Sequence, residues 1–141
     1  MSTITVTGRL TRDTELRFTP TGKAVLHLGI AENHSRRLED GSYEDTGTTF
    51  YNVTRWAGRT SDAEVQALAE GLHRGDLVVV IGQFRTREYQ RDGETRRGTE
   101  LVATEIAAPF RGQTVTITRT QRTGEAPVEY EPADYDSEPS F

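Results

Sequence analysis

Leu77-Val78-Val79-Val80-Ile81-Gly82-Gln83-Phe84-Arg85-Thr86-Arg87-Glu88-Tyr89-Gln90-Arg91 changes character partway along its length. The first third is apolar at every position and the remainder alternates. Side chains of a strand point to opposite faces in turn, so the two parities describe two surfaces. The even positions offer Val78, Val80, Phe84 and Thr86 as a core face. The odd positions begin as Leu77, Val79 and Ile81 and continue as Gln83, Arg85, Arg87, Tyr89 and Arg91. One face of one strand is therefore aliphatic at its start and basic, with an aromatic, at its end. The aliphatic end requires a cover and the basic end suits a polyanion.

Outward from this strand, the punctuation of the chain defines its neighbours. Thr3-Ile4-Thr5-Val6-Thr7-Gly8-Arg9-Leu10 alternates as a strand. Glu15-Leu16-Arg17-Phe18 runs into Thr19-Pro20-Thr21-Gly22, a turn signal that starts a second strand near Lys23. Arg36 to Asp45 reads as a long hairpin loop, and Thr48 to Trp56 as the third strand, with Phe50 and Trp56 on one surface. Ser61-Asp62-Ala63-Glu64 has capping-box spacing, and Val65, Leu68, Ala69 and Leu72 recur at helical intervals before a stop at Gly75. Arg91-Asp92-Gly93-Glu94 carries a hairpin signal after the opening strand. Thr99 to Ile106 supplies a fifth strand, and Gln113 to Arg119 alternates as a possible sixth. Three strands, a helix and two strands is the order of an OB-fold, a five-stranded barrel with a helix at one end. The expected class is all-β with one short helix: a barrel domain over 1–110, an extra C-terminal strand within 111–122, and a disordered acidic tail over 123–141.

Charge follows the same division. The net charge of -5 conceals a body, residues 1–122, that holds all 17 Lys and Arg against 16 acids. The tail holds no base and six acids, so the body is slightly positive and the acidity belongs to the arm. Such asymmetry points to a nucleic-acid-facing body. The absence of cysteine removes disulfides, thiolate zinc sites and cysteine nucleophiles, and fits a reducing cytoplasm. No apolar run approaches the roughly 18 residues of a membrane helix, and Met1-Ser2-Thr3-Ile4 does not read as a signal peptide. His27, His34 and His73 lack metal-ligand spacing, and there is no P-loop or nucleophile elbow. Neither an enzyme, a metal site nor a cofactor is expected.

Val6-Thr7-Gly8-Arg9-Leu10, Asp13 with Glu15-Leu16-Arg17-Phe18, Pro20-x-Gly22-x-Ala24-Val25 and Gly82-Gln83-Phe84-Arg85-Thr86-Arg87 together resemble the signature of bacterial single-stranded DNA-binding proteins. The resemblance covers about residues 3–110, and Val115 to Arg119 resembles the extra strand of the actinobacterial branch, which clamps two subunits. It is compatible with a housekeeping protein, a specialised paralogue or a phage version. It implies a homotetramer of OB-folds wrapped by single-stranded DNA, acting in replication, recombination and repair in the cytoplasm at the nucleoid. Family DNA contacts carry over to Arg17, Phe50, Trp56, Arg85, Arg87 and Tyr89. At the end of the second strand, Arg36 stands where the family often has a stacking tryptophan.

Binding any sequence requires features common to all nucleotides: rings stack on bases and arginines hold phosphates. Phe50, Trp56 and Tyr89 are the stacking candidates. Arg17, Arg36, Arg55, Arg59, Arg85, Arg87, Arg96 and Arg97 are the phosphate candidates. Leu77, Val79 and Ile81, with Val115 and Ile117, are the candidate oligomer interface; burial of the first three under a loop or the helix is the alternative. Asp136, Glu138, Pro139 and Phe141 form a tail tip suited to a basic pocket on replication or repair proteins, or else a solubilising end. The competing functional reading is an OB-fold module for protein or RNA.

Overall fold

The computed structural model describes residues 2–58 and 61–119. Six strands and one helix follow in the order β1 (Ile4–Leu10), β2 (Glu15–Phe18), β3 (Ala24–Arg37), β4 (Tyr43–Trp56), α1 (Ala63–Gly71), β5 (Leu77–Arg91) and β6 (Glu94–Ala107). They form one sheet, β1-β5-β6-β4-β3-β2, which a further β1–β3 pairing closes into a barrel of five strands. β1 achieves this by pairing along β5 from Ile4↔Gly82 to Arg9↔Leu77, then turning its last two residues onto β3 at Ala31 and Ile30. β2 is the extra strand, a short arm antiparallel to β3.

The barrel core is aliphatic: Val6, Leu26, Leu28, Ile30, Val53, Val78, Val80 and Leu101 are each 3 % exposed or less. Val65 of α1 and Leu72 just after it pack onto this core. The Ser61–Glu64 capping box does not form as a reciprocal pair. The Ser61 hydroxyl accepts from the Ala63 N–H (3.0 Å), but Glu64 is held by Arg55 through Nε and Nη2 at 3.0 Å each. The helix ends at Gly71, and Gly75 serves the following turn at φ 92°.

Three expectations are corrected. Phe84 and Thr86 do not join Val78 and Val80 in the core; Phe84 is 40 % exposed. β1 covers β5 only as far as Gly82, and β4 meets β6 only at Val53 and Thr54. Beyond those points β5 and β6 leave the barrel as a two-stranded ribbon on which Thr86 is exposed. Phe84 stacks on Tyr51 at the barrel mouth, with centroids 6.1 Å apart. The long loop between β3 and β4 shrinks to residues 38–42, because cross-strand pairs such as Arg36–Glu44 (2.6 Å) and Thr48–Asn33 (2.9 Å) zip a polar ribbon. Residues 113–119 form no strand. Instead the Gln113 amide takes the place of a partner strand at Leu77, accepting from its N–H (3.0 Å) and donating to its carbonyl (2.9 Å).

The same contact revises the aliphatic patch. Leu77 is only 9 % exposed, covered within the chain, whereas Val79 and Ile81 stay partly exposed. Ile117 is 77 % exposed, and Val115 lines an apolar cavity against Leu68 of α1 and Leu72 just after it. The Asp92-Gly93 hairpin forms as read: both residues have positive φ, 55° and 78°, as a two-residue primed turn requires. Among the described residues no helix is long and apolar enough to cross a membrane. The tail, including Asp136, Glu138, Pro139 and Phe141, lies outside the described residues.

Candidate nucleic-acid interface

Strand register determines which side chains share a face, since residues paired across a sheet project to the same side. Trp56 pairs with Val25, which pairs with Arg17 on β2. One step along, Thr54 pairs with His27 and His27 with Glu15; beyond them lie Asn52 opposite Gly29 and Phe50 opposite Ala31. On the other side of the parallel β4–β6 contact, Arg85 stands opposite Glu100, Arg87 opposite Gly98 and Tyr89 opposite Arg96. All of these lie on the outer face of the sheet, away from the barrel core.

They surround two adjoining cavities. The first, about 390 Å³, is lined by Arg12, Arg17, Arg87, Tyr89 and Glu100 among others. The second, about 670 Å³, is lined by Phe18, Trp56, Arg85 and Arg87. Arg17, His27, Thr54, Arg87 and Glu100 belong to both, so the two are one groove. The structure therefore brings Arg17, Trp56, Arg85, Arg87 and Tyr89 together. Phe50 shares the face but stands outside the groove walls, 71 % exposed. Arg96 stands beside Tyr89.

The remaining arginines are placed elsewhere. Arg55 projects to the opposite side of β4, where it clamps Glu64 and donates to the Ala103 carbonyl (3.2 Å), tying α1 to β4 and β6. Arg36 pairs with Glu44 on the alternate face of the β3–β4 ribbon, and Arg97 with Glu88 at 3.2 Å. Arg59 lies outside the described residues. Even within the groove the cations differ. Arg17 is held by Glu15 at 2.5 Å, whereas Arg85 and Arg87 form no ion pair among the described residues. The latter two are therefore free to meet phosphate without displacing a carboxylate.

Several groove residues escape sequence reading. His27 is half-buried between Arg17 and Arg87; burial first, then those two cations, lower its pKa below the usual histidine value. Arg12 reaches the groove because Gly29 leaves room: a Cβ there would lie 2.7 Å from its Nη1. Phe18, 58 % exposed, lines the groove beside Trp56, and the Lys23 ammonium sits 5.2 Å from the Trp56 ring centroid. Tyr43 has the wrong parity to share a face with Phe50. A β-bulge after His34 leaves Thr46 unpaired, and the shift sets Tyr43 opposite Arg37 on the groove side of the ribbon, 70 % exposed. Only the Gly47 that follows Thr46, at φ 128°, hints at this in the sequence. Among the described residues no group of three or more His, Asp or Glu could hold a metal ion.

Comparisons with known proteins agree with this arrangement. Residues 1–108 match the model of the Single-strand binding protein family. A single-stranded DNA-binding protein of Paenarthrobacter aurescens is 36 % identical over 123 residues, covering 86 % of this chain and 69 % of the relative. Its counterpart from Mycolicibacterium smegmatis is 35 % identical over 127 residues, covering 87 % and 73 %. In fold, the chain is similar to the small single-stranded DNA-binding protein of Streptomyces coelicolor (TM-score 0.61, 21 % identity, 78 % of this chain and 95 % of that one). It is also similar to a Plasmodium falciparum SSB solved with single-stranded DNA (TM-score 0.62, 17 % identity, 77 % and 95 %). With the family match spanning the whole barrel and actinobacterial relatives covered over most of their length, the chain belongs to the Single-strand binding protein family.

Proposed function

We propose that this protein binds single-stranded DNA without regard to sequence and protects it during replication, recombination and repair. It is a binding protein rather than an enzyme. The observation that carries this reading is the single outer groove shared by Trp56, Tyr89, Arg85, Arg87 and Arg17. Bases stacking on the rings contribute about 1–3 kcal/mol each, and the arginines neutralise phosphates along the strand. Paired bases hide the faces that stack, so duplex is disfavoured. Quenching of Trp56 fluorescence by oligo(dT), absent with duplex and weakening with salt at a log–log slope of about -0.7 per phosphate contact, is the expected result. Tight binding to duplex, or affinity indifferent to salt, would refute it.

The protein works as a homotetramer. The support is the partly exposed Val79 and Ile81 on the outside of β5 and, in the extension, the exposed apolar side chain of Ile117. The extension over 111–122 belongs to that interface, with Val115 and Ile117 reaching a second copy. Light scattering should give four copies; a monomer would refute the assembly. The acidic tip at Asp136, Glu138, Pro139 and Phe141 recruits replication or repair proteins, and the protein is accordingly cytoplasmic and nucleoid-associated.

A further inference from the structure

Phe50 is the stacking candidate that the groove leaves out, and its row in the sheet leads elsewhere. It stands opposite Ala31 on β3, and Ala31 stands opposite Arg9 on β1, so the three side chains lie in line on the outer face. Gly8 permits this crossing: a Cβ there would lie 2.6 Å from the Ala31 carbonyl oxygen, closer than any side chain allows. Ala31 itself adds only a methyl, which keeps the row low between the Phe50 ring and the Arg9 guanidinium.

Arg9 and Ala31 line a cavity of about 500 Å³ together with Thr7, Asn33, His34 and Arg111, and it shares no lining residue with the groove. Both arginines are exposed. Arg9 donates through Nη1 to the Gly75 carbonyl (3.0 Å), the Arg111 side chain makes no hydrogen bond, and neither forms an ion pair among the described residues. The acid that lines the cavity, Glu32, is already engaged. Its Oε1 accepts from the Tyr51 hydroxyl (3.3 Å) and lies 3.5 Å from His34 Nε2.

The cavity continues the line of the groove. The groove wall reaches Asn52, two residues short of Phe50, and the cavity wall starts at Ala31 opposite Phe50. Phe50 lies six residues from Trp56 along β4, about 20 Å of strand, and Arg9 lies two strand spacings across, about 10 Å. The direct span of about 22 Å matches six or seven nucleotides at a stacked rise of about 3.4 Å. On its far side the cavity borders the aliphatic surface of β5, where Thr7 faces Val79 and Arg9 faces Leu77.

We propose that the Arg9–Arg111 cleft is a second phosphate-binding site for the same strand. Single-stranded DNA leaves the groove over Phe50, which stacks a base, crosses Ala31 and lays its next phosphates against Arg9 and Arg111. The site uses charge and a ring face alone, so it reads no sequence. This deepens the single-stranded DNA reading and rests on it.

The test compares oligo(dT) of about five nucleotides, too short to span Trp56 to Arg9 at that rise, with oligo(dT) of about fifteen. Arg111→Ala should weaken the long oligomer about five-fold, both arginines being open to solvent. It should also make the salt slope of the long oligomer shallower by about 0.7 and leave the short oligomer unchanged. Arg111→Lys, which keeps the charge, should retain most of the affinity. Arg9→Ala should repeat the length-dependent loss, with a thermal melt beside it because Arg9 also holds the Gly75 carbonyl. Unchanged binding of the long oligomer by Arg111→Ala overturns the site, even where Arg9→Ala loses affinity together with Tm. Equal losses on both lengths overturn the path, since the arginines would then act at the groove. Failure of wild type to bind the long oligomer overturns the single-stranded DNA reading itself, and the site with it.

Discussion

Arg87→Ala and Arg55→Ala make a matched pair, because the two arginines look alike in sequence and are put to different uses by the fold. Arg87 lines both parts of the groove and forms no ion pair among the described residues. Its removal deletes one phosphate contact without exposing a carboxylate. A hydrogen bond to a charged group nets about 1.5–3 kcal/mol, and the open groove argues for the lower end. About 1.5 kcal/mol is roughly a ten-fold rise in Kd. The salt slope should become shallower by about 0.7, the share of one phosphate. Arg55 should behave oppositely. Its bidentate pair with Glu64 and its bond to the Ala103 carbonyl hold the helix onto the barrel, with its side chain only 22 % exposed. Losing them should cost about 2 kcal/mol of stability, or about 10 °C in Tm, while the salt slope stays unchanged. Trp56 fluorescence titrations over a series of salt concentrations, beside thermal melts, read both quantities. Should Arg55→Ala flatten the slope as much as Arg87→Ala, or Arg87→Ala leave it untouched, the division of the arginines by face is refuted.

Other perturbations follow from the same geometry. Glu15→Gln releases Arg17 from its 2.5 Å pair and should tighten binding to oligo(dT) about three-fold, an exposed pair being worth under about 1 kcal/mol; unchanged affinity would mean Arg17 is not used. Because the folded pKa of His27 is lowered, the unfolded chain holds more protons just below the ordinary 6.5, so stability should fall as pH falls through that value. His27→Gln should flatten this part of the profile in urea melts, and an identical profile would contradict it. Bound phosphates offset Arg17 and Arg87, so affinity should rise as pH drops below about 6.5 in wild type but not in His27→Gln. Gly82→Ala places a Cβ on the Val102 carbonyl and 2.9 Å from Ala103 Cα, all backbone. It should cost about 3 kcal/mol, read by urea denaturation, and a neutral effect would show that the β6 backbone opposite, where the β5–β6 register shifts by one residue at Thr104, can relax.

Much of this was legible in the residues themselves. Alternation in Leu77–Arg91, the Asp92-Gly93 turn and the periodic Val65–Leu72 run are local signals, and the elements they announce formed where they lie. The placement of Arg85, Arg87 and Tyr89 on one face needed only the two-residue period of an unbulged strand. Tertiary structure decided whatever depends on what lies opposite. Phe84 left the core because β1 ends beneath Gly82, and Leu77 entered cover because Gln113 returns to it. Arg55 became a helix clamp because Glu64 comes within 3.0 Å across nine residues, and Tyr43 changed faces because Thr46 has no partner. A strand's period is written into its backbone, whereas burial, ion pairing and bulge position belong to pairs of segments, and no single segment contains them.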